Sequence, residues 1–412
     1  MDEQQYIVLE VRPRGPVKRG YLGAPARGAE PATAVMSVES FTPMDAADAR
    51  RAPGVEVAPL LPMKLVEPVS TLEAEIPISP GSAWGVEAVG ALESEFSGAG
   101  IKVAVLDTGI DAGHEAFRGL KVTQRDFTGE GDGDRVGHGT HCAGTIAGRD
   151  VNGYRYGVAP GVDELLVGKV VGAKGGSTDA LMRGMLWALE SGAHVMSMSL
   201  GLDFPGLVAR WTDNGLGLEP ATSRALEGYR DSLRLFGSLA DVMRATGPYG
   251  RAALVIAATG NESQRGAALP YTIGVAPPAA SEGFVAVAAL QRTPDGTLDV
   301  ADFSNAGASV AAPGVNILSA KAGGGFIVMS GTSTAAPHVA GVAALWAESL
   351  LASAARIDLG LLLARLTGNS RELPGVAAID AGAGLVRAPE GPGRTPEGVS
   401  RRPRESPEWT RR

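Results

Sequence analysis

The sequence lacks the features that mark several large classes of protein. Only one of its 412 residues is a cysteine, Cys142, which excludes a framework of internal disulfides. No apolar run reaches the roughly 18 residues that are needed to span a membrane. Acidic residues outnumber basic ones, 45 to 37, and this balance argues against binding to nucleic acid. We therefore expect neither membranes nor nucleic acids among its partners.

Glycine and apolar residues, in contrast, are abundant. The 57 glycines and the 44% share of apolar residues suit a fold with tight turns, close helix–sheet packing and a sizeable core. The first five residues, MDEQQ, carry no basic segment ahead of an apolar core, which is the pattern of a secretory signal. We therefore expect a cytoplasmic location, although secretion stays open.

The middle of the chain alternates apolar runs with helical patterns. Residues 101–106 form a nearly continuous apolar run that ends at Asp107, as is typical of a buried parallel strand. Residues 178–191 carry apolar side chains at helical spacing and are followed by Gly192. This alternation predicts an α/β fold, a parallel sheet with helices on both faces. Asp107 and Asn261 both follow predicted strands, so they should share the carboxyl edge of the sheet.

Composition divides the chain into four parts. Residues 1–70 combine short strand patterns with one short helix, which predicts a small α+β unit made of two strand pairs. Residues 71–83 lie in a stretch rich in Pro, Ser and Glu, the composition of a linker. Residues 84–388 would form the main domain. Residues 389–412, rich in Pro, Gly, Glu and Arg, are predicted to be a disordered tail.

The stretch from Ser330 to Gly341 sets small residues around the hydroxyl of Ser333, ahead of an apolar helical run. The first turn of a helix has free N–H groups and a positive dipole end, which stabilise negative charge. A hydroxyl placed there is suited to act as a nucleophile, and Pro337 would lie early in the helix. Taken alone, an Ala-rich core helix capped by Ser or Thr is an equally good interpretation.

Two further motifs change that balance. They are Val105-Leu106-Asp107-Thr108-Gly109-Ile110-Asp111 and Gly137-His138-Gly139-Thr140-His141-Cys142-Ala143-Gly144. With the Ser333 stretch they run in the order Asp, His, Ser, and from about residue 84 to 388 the chain resembles the subtilisin-like serine proteases of peptidase family S8. The resemblance implies a subtilisin-like fold, a prodomain-like N-terminal unit and a serine endopeptidase that hydrolyses peptides or proteins.

The resemblance also implies the site residues. Ser333 would be the nucleophile, His138 its general base, and Asp107 the group that holds the imidazole ring. Asn261 would donate its side-chain amide to the oxyanion. Two edges would pair with an extended substrate backbone; they comprise Gly175, Gly176, Ser177, Ser199, Leu200 and Gly201.

The remaining segments take their predicted roles from the same resemblance. Residues 1–70 would cover the active-site cleft and inhibit the enzyme, with self-cleavage between Val66 and Ser82; a permanent N-terminal domain is the alternative. Residues 202–254 form an insertion that would end in a helix capped by Thr222 or Ser223. Its first part, residues 203–220, would be a loop that overhangs the cleft, unless the insertion is a surface decoration remote from substrate.

No cofactor is expected, but calcium stays possible. Ala116 occupies the position where many family members have a calcium-binding Asp. The loop before His138 carries Asp126, Asp132 and Asp134, whose carboxylates could hold Ca²⁺, although a solvated loop is the commoner outcome.

Three other interpretations fit parts of these motifs. His138 and His141 could ligate a metal, but the chain offers no clear further Cys or His ligand. Asp107-Thr108-Gly109 also matches an aspartic-protease loop, which would need a second such carboxylate. A peptide-binding scaffold without activity would have no need of the full set of Asp107, His138, Asn261 and Ser333.

Overall fold

The computed structural model describes residues 3–12, 33–74, 81–247 and 252–390. Nearly all of the predicted disordered tail, from residue 391 onward, lies outside the described residues.

The described residues contain strands and helices that are numbered here in chain order. The strands are β1 Gln4–Arg12, β2 Thr33–Phe41, β3 Val55–Pro59, β4 Pro62–Leu65, β5 Ser70–Ala74, β6 Gly81–Ser82, β7 Lys102–Asp107, β8 Lys121–Asp126, β9 Tyr154–Arg155, β10 Glu164–Lys169, β11 Val171–Gly172, β12 Gly175–Ser177, β13 Val195–Met198, β14 Leu200–Leu202, β15 Leu254–Ala258, β16 Phe284–Arg292, β17 Leu298–Val300, β18 Val310–Pro313, β19 Ile317–Ala320 and β20 Phe326–Ser330. The α-helices are α1 Pro43–Ala49, α2 Trp84–Ala88, α3 His138–Ala147, α4 Thr178–Glu190, α5 Phe204–Asp213, α6 Leu218–Thr246, α7 Thr332–Ala354, α8 Leu359–Gly368 and α9 Ala378–Ala381.

The predicted α/β fold is confirmed. The main sheet has the strand order β17-β16-β15-β13-β7-β10-β8, and β18 also pairs with β16. All of its pairings are parallel except that of β16 with β17. Parallel pairing brings the carboxyl ends of β7, β13 and β15 to one edge, where the predicted site residues follow.

Both faces of this sheet are buried, as the continuous apolar strands predict. In β7, Val103 and Val105 belong to the apolar core on one face, and Ala104 and Leu106 belong to the core on the other. Helix α7 passes through the first of these cores. By length and composition α7 could span a membrane, but most of it is buried inside the protein.

The N-terminal unit differs in part from its prediction. Strands β2, β1 and β3 form an antiparallel sheet, and α1 starts from a capping box of Thr42 and Asp45. The predicted second strand pair does not form, because β4 leaves this sheet and pairs with β12 and β14 of the main domain. Residues 70–74, predicted as linker or its border, form β5 and pair with β20.

The insertion also differs from its prediction. Residues 204–213, expected in a loop, form α5, which starts where Asp203 accepts a hydrogen bond from Gly206 N. Helix α6 begins at Leu218, not after Thr222 or Ser223, because Pro220 is tolerated in a first turn, where its missing N–H costs little. On α6, Phe236, Leu239 and Met243 are buried, but Leu226 is 47% exposed.

Two glycines in helices provide a stability prediction. A methyl group on Gly341 of α7 would lie 2.5 Å from Val158 Cβ, whereas one on Gly237 of α6 would meet nothing within 4 Å. We expect Gly341→Ala to lower the free energy of unfolding by ~1–3 kcal/mol. Gly237→Ala should raise it by ~0.5–1 kcal/mol, because alanine restricts the unfolded chain. Urea unfolding followed by circular dichroism would measure both; equal effects would contradict this account of the packing.

Candidate active site

The carboxyl edge of the main sheet gathers the predicted site residues. Asp107 is the last residue of β7, Ser199 follows β13, and Asn261 follows β15 by three residues. His138 and Ser333 lie instead at the N-terminal ends of α3 and α7. Strand ends and helix ends therefore meet at one place, as expected for a site in a parallel sheet.

His138 and Asp107 form a buried hydrogen-bonded pair. His138 Nδ1 lies 2.8 Å from Asp107 Oδ1, and the two side chains are 2% and 1% exposed. Asp107 Oδ1 also accepts a hydrogen bond from Thr108 N at 2.8 Å. Because a carboxylate only accepts, Nδ1 must carry a proton, and in the neutral ring Nε2 is then the nitrogen that can accept one.

The electrostatics of His138 result from two opposing effects. Burial by itself would lower the pKa of His138, but the carboxylate of Asp107 outweighs it and raises that pKa well above the ordinary value. The neighbouring histidines have no such partner. Burial lowers the pKa of His141 to about 3 and that of His338 to about 4, so both rings are neutral at ordinary pH.

The start of α3 is held by Asp134. Its Oδ1 accepts hydrogen bonds from Thr108 Oγ1 at 2.9 Å and Gly137 N at 2.7 Å, and its Oδ2 accepts from Thr140 N at 2.8 Å. This carboxylate therefore joins the loop after Asp107 to the helix that carries His138. Asp134 was predicted from the sequence only as a possible calcium ligand. The composition of the loop does not indicate which backbone groups the Asp134 carboxylate contacts.

The helix that carries Ser333 contains an irregularity at Pro337. Pro337 lies inside α7, further from its start than the sequence suggested. It has no N–H to donate to the carbonyl four residues earlier, which is that of Ser333. That carbonyl accepts from Ser199 Oγ at 3.1 Å and from Cys142 Sγ at 3.5 Å instead. The freed carbonyl thus ties the serine to two neighbouring elements of the site.

Asn261 has a fixed orientation. Its Oδ1 accepts hydrogen bonds from Thr332 N at 2.8 Å and from Thr332 Oγ1 at 2.9 Å. With the oxygen engaged in this way, Nδ2 points into the cleft, where it donates to the carbonyl of Glu67 at 2.8 Å. Thr332 is a second functional candidate that sequence reasoning missed, although it stands next to Ser333.

The six predicted substrate-binding residues surround β4. Leu200 and Gly201 pair with Leu65 and Lys64, and the Ser199 carbonyl accepts from Val66 N at 2.9 Å. On the other side, Gly176 and Ser177 pair with Met63 and Pro62. Gly175 pairs with Gly172 at the adjoining turn. A strand of the chain's own N-terminal part therefore lies between the two edges.

The segment continues past the serine without a break. Beyond Glu67 and Pro68, Val69 N donates to the Ser330 carbonyl at 2.8 Å, and β5 pairs with β20. Ser333 is completely buried, and within the described residues neither Ser333 Oγ nor His138 Nε2 has a hydrogen-bond partner. The structure brings the two side chains into one site but does not join them by a hydrogen bond.

The acidic loop does not gather its carboxylates around one point. Asp126 accepts from Thr128 N at 2.8 Å and from Gly131 N at 2.7 Å, so, like Asp134, it supports the loop backbone. Among the residues described, the group whose ligand atoms lie close enough for a metal is Asp107, His138 and Cys142. Burial raises the pKa of the Cys142 thiol, and a protonated thiol is a poor metal ligand.

Comparison with known proteins identifies the family. The model of the subtilase family, peptidase S8, matches residues 98–356. The chain belongs to the subtilase family. This confirms the resemblance inferred from the three motifs.

Several relatives are similar to this subtilase over about two thirds of its length. M-protease of Shouchella clausii (strain KSM-K16) is 35% identical over 284 residues, which cover 67% of this chain and 61% of that protein. The thermostable alkaline protease of Halalkalibacterium halodurans is 34% identical over 278 residues, 66% of this chain and 64% of that protein. Subtilisin Savinase of Lederbergia lenta is 36% identical over 269 residues, 64% and 82% of the two chains. The match thus spans less than two thirds of the first two relatives.

The predicted location of the protein is wrong. The expected cytoplasmic location is contradicted by the relatives, which are subtilisins and alkaline proteases and point to secretion. The composition of the first five residues alone does not determine where a protein is located.

The electrostatics of the site yield a titration prediction. Because the pKa of His138 is raised, its charged form should persist above the ordinary value of 6.5 and be lost as pH rises through the higher value. His141 and His338 should stay neutral down to about pH 4. Nitrogen-15 NMR of the histidine rings would follow all three.

Asp107→Asn is the matched variant, because it removes the negative charge and leaves the burial. The His138 pKa should then fall below its value in the unchanged chain. A His138 pKa that is unaffected by this substitution would contradict the role assigned to the carboxylate.

Proposed function

We propose that this subtilase is a serine endopeptidase whose nucleophile is Ser333, and that its cleft is covered by its own N-terminal unit. The observation that carries the proposal is the extended segment between the two predicted substrate edges. Its Glu67 carbonyl accepts from Asn261 Nδ2 at 2.8 Å, as a substrate carbonyl would in an oxyanion hole. The family match and the names of the relatives, which are proteases, support the same conclusion.

In the proposed mechanism, His138 Nε2 takes the proton of Ser333 Oγ as that oxygen attacks the substrate carbonyl carbon. Asp107 keeps the proton of the imidazole on Nδ1 and stabilises the imidazolium that forms. Asn261 Nδ2 donates to the developing oxyanion, at the positive end of α7. His138 then gives its proton to the leaving amine, and water repeats the sequence to release the acyl group.

The Ser199 hydroxyl and the Cys142 thiol support this chemistry indirectly. Both donate to the Ser333 carbonyl, which lost its helical partner to Pro337. They therefore fix the backbone of the nucleophile from the substrate edge and from α3. Neither group needs to ionise for this, and the raised pKa of the Cys142 thiol agrees with a packing role.

Substrates are proposed to bind as β4 does, as an added strand. Backbone pairing with Leu200, Gly201 and Gly176 uses groups that every residue except proline supplies, so it tolerates many sequences. Side chains then add preference. Met63 is 3% exposed in its pocket, and Lys64 Nζ lies 3.4 Å from Asp203 and 3.5 Å from Glu262.

The insertion supports inhibition by the N-terminal unit in a way that was not expected from the sequence. Helix α6 packs against β3, and Arg50, which follows α1, forms an ion pair with Asp231 of α6. The Asp231 side chain is 8% exposed and that of Arg50 32%. The insertion is therefore proposed to be a docking surface for the N-terminal unit, in addition to providing Asp203 at the rim of the cleft.

Loss of the proposed nucleophile or base should abolish activity. We expect Ser333→Ala and His138→Ala each to lower peptide hydrolysis by ~10⁴-fold or more, and the double variant to add little, because the residues act as one unit. Asn261→Ala should lower it by ~10²–10³-fold. Kinetics on a chromogenic peptide would measure these rates; a tenth of the original activity in either of the first two variants would refute the assignment.

Loosening the N-terminal unit should have the opposite effect. Arg50→Ala removes one partner of the Asp231 carboxylate, which keeps Arg234, so we expect hydrolysis of added peptide by the full chain to rise by about three- to tenfold. Arg51→Ala is the matched control, because Arg51 is an exposed neighbour whose ion pair with Asp48 is at the surface. Equal rates for the two variants would contradict the docking role.

A further inference from the structure

The segment in the cleft presents one particular bond to Ser333. The chain is anchored on one side by Val66 N, which donates to Ser199 O at 2.9 Å, and on the other by Val69 N, which donates to Ser330 O at 2.8 Å. Between these anchors the Glu67 carbonyl lies 2.8 Å from Asn261 Nδ2. The bond that follows this carbonyl joins Glu67 to Pro68.

Pro68 lies beside the catalytic groups. A methyl group placed on Gly331 would be 2.8 Å from Ser333 Oγ, 3.0 Å from Asn261 Nδ2 and 3.6 Å from Pro68 Cα. The proline therefore borders the same small space as the proposed nucleophile and oxyanion donor. Its ring is half-buried there, on the leaving-group side of the bond.

Proline suits the binding of this segment. It restricts the residue before it to extended backbone, which is the conformation that Glu67 needs between the two strands. It has no N–H, and the pairing with β20 resumes only at Val69, so no backbone hydrogen bond is lost. The same residue therefore lowers the conformational freedom of the free segment without weakening its contacts in the cleft.

Proline opposes the cleavage of this segment. Cleavage would join Ser333 Oγ to the Glu67 carbonyl carbon, move the Ser333 proton through His138 Nε2 to the Pro68 nitrogen, and break the bond between that nitrogen and the carbon. In other residues the leaving nitrogen carries a hydrogen. In Pro68 the ring carbon Cδ takes that place, so the imidazole must deliver its proton past the ring, and the fixed φ angle limits how the ring can turn aside.

We propose that Pro68 makes the N-terminal segment a resident inhibitor that the enzyme holds in its cleft but does not cut at the bond it holds. The inference rests on the proposed function, because it takes Ser333 to be an active nucleophile. It narrows the expected self-cleavage range, which runs from Val66 to Ser82, by removing the Glu67–Pro68 bond from it. Release of the cleft then requires either undocking of the whole unit or cleavage at another bond.

The test uses the full chain and intact-mass spectrometry. Pro68→Ala should be cut between residues 67 and 68 at least about tenfold faster than the unchanged chain. A tenfold faster cut corresponds to an activation free energy that is ~1.4 kcal/mol lower. Adding Ser333→Ala to that variant should prevent the cut. Pro43→Ala is the control, because it makes the same change in the same unit, at the start of α1 and outside the segment that pairs with β12, β14 and β20. An unchanged chain that cleaves itself at this bond as fast as Pro68→Ala would overturn the inference.

A second measurement separates this inference from the proposed function. Two free peptides with the sequence of residues 62–71, one unchanged and one with Pro68→Ala, are supplied to the Arg50→Ala chain, whose cleft should open more readily. Faster cleavage of the Pro68→Ala peptide supports the inference, and equal cleavage of both contradicts it. A Pro68→Ala chain that stays whole while Arg50→Ala cleaves that peptide also contradicts it. If no peptide is cut by any variant, the proposed function fails, and the inference fails with it.

Discussion

Backbone pairing between the N-terminal segment and the main domain is the interaction on which the rest of this account depends. Strand β4 fills the space between β12 and β14, and β5 adds to β20 beyond it. These pairings complete two small sheets that would otherwise have open edges at the cleft. Ser333 and His138 are buried in this structure, and the pairings attach the separate N-terminal sheet to the body at the point where the proposed chemistry takes place.

The main domain itself supplies the side chains of this site. Parallel strands deliver Asp107 and Asn261 to one edge, and α3 and α7 begin there with His138 and Ser333 near their first turns. Close backbone approach makes the convergence possible: a methyl group on Gly139 would lie 2.2 Å from the Gly109 carbonyl. The Asp107 carboxylate then compensates for the burial of the His138 ring, which alone would keep it neutral.

Much of this could be predicted from the sequence, for identifiable reasons. Buried parallel strands have a strong pattern, so residues 101–106 and Asp107 were located almost as the structure has them. The motifs around His138 and Ser333 are long enough to indicate the family. Contacts between distant segments could not be predicted from the sequence, because they depend on tertiary packing. They include the pairing of β4 with the main domain, the Arg50–Asp231 ion pair and the hydrogen bonds that replace the one lost at Pro337. The prediction of a loop at residues 203–220 was wrong for a local reason, because the side chain of Asp203 caps a helix there.

Labelling of the full chain with a fluorophosphonate, followed by peptide mapping, tests the central claim most directly. An activated serine beneath a removable segment should react at Ser333 alone, slowly in the intact chain and faster once the N-terminal unit is loosened by Arg50→Ala. That result would tie the nucleophile and its cover together in one experiment. Modification of another residue, no modification in either chain, or the same rate at Ser333 in both would contradict the account.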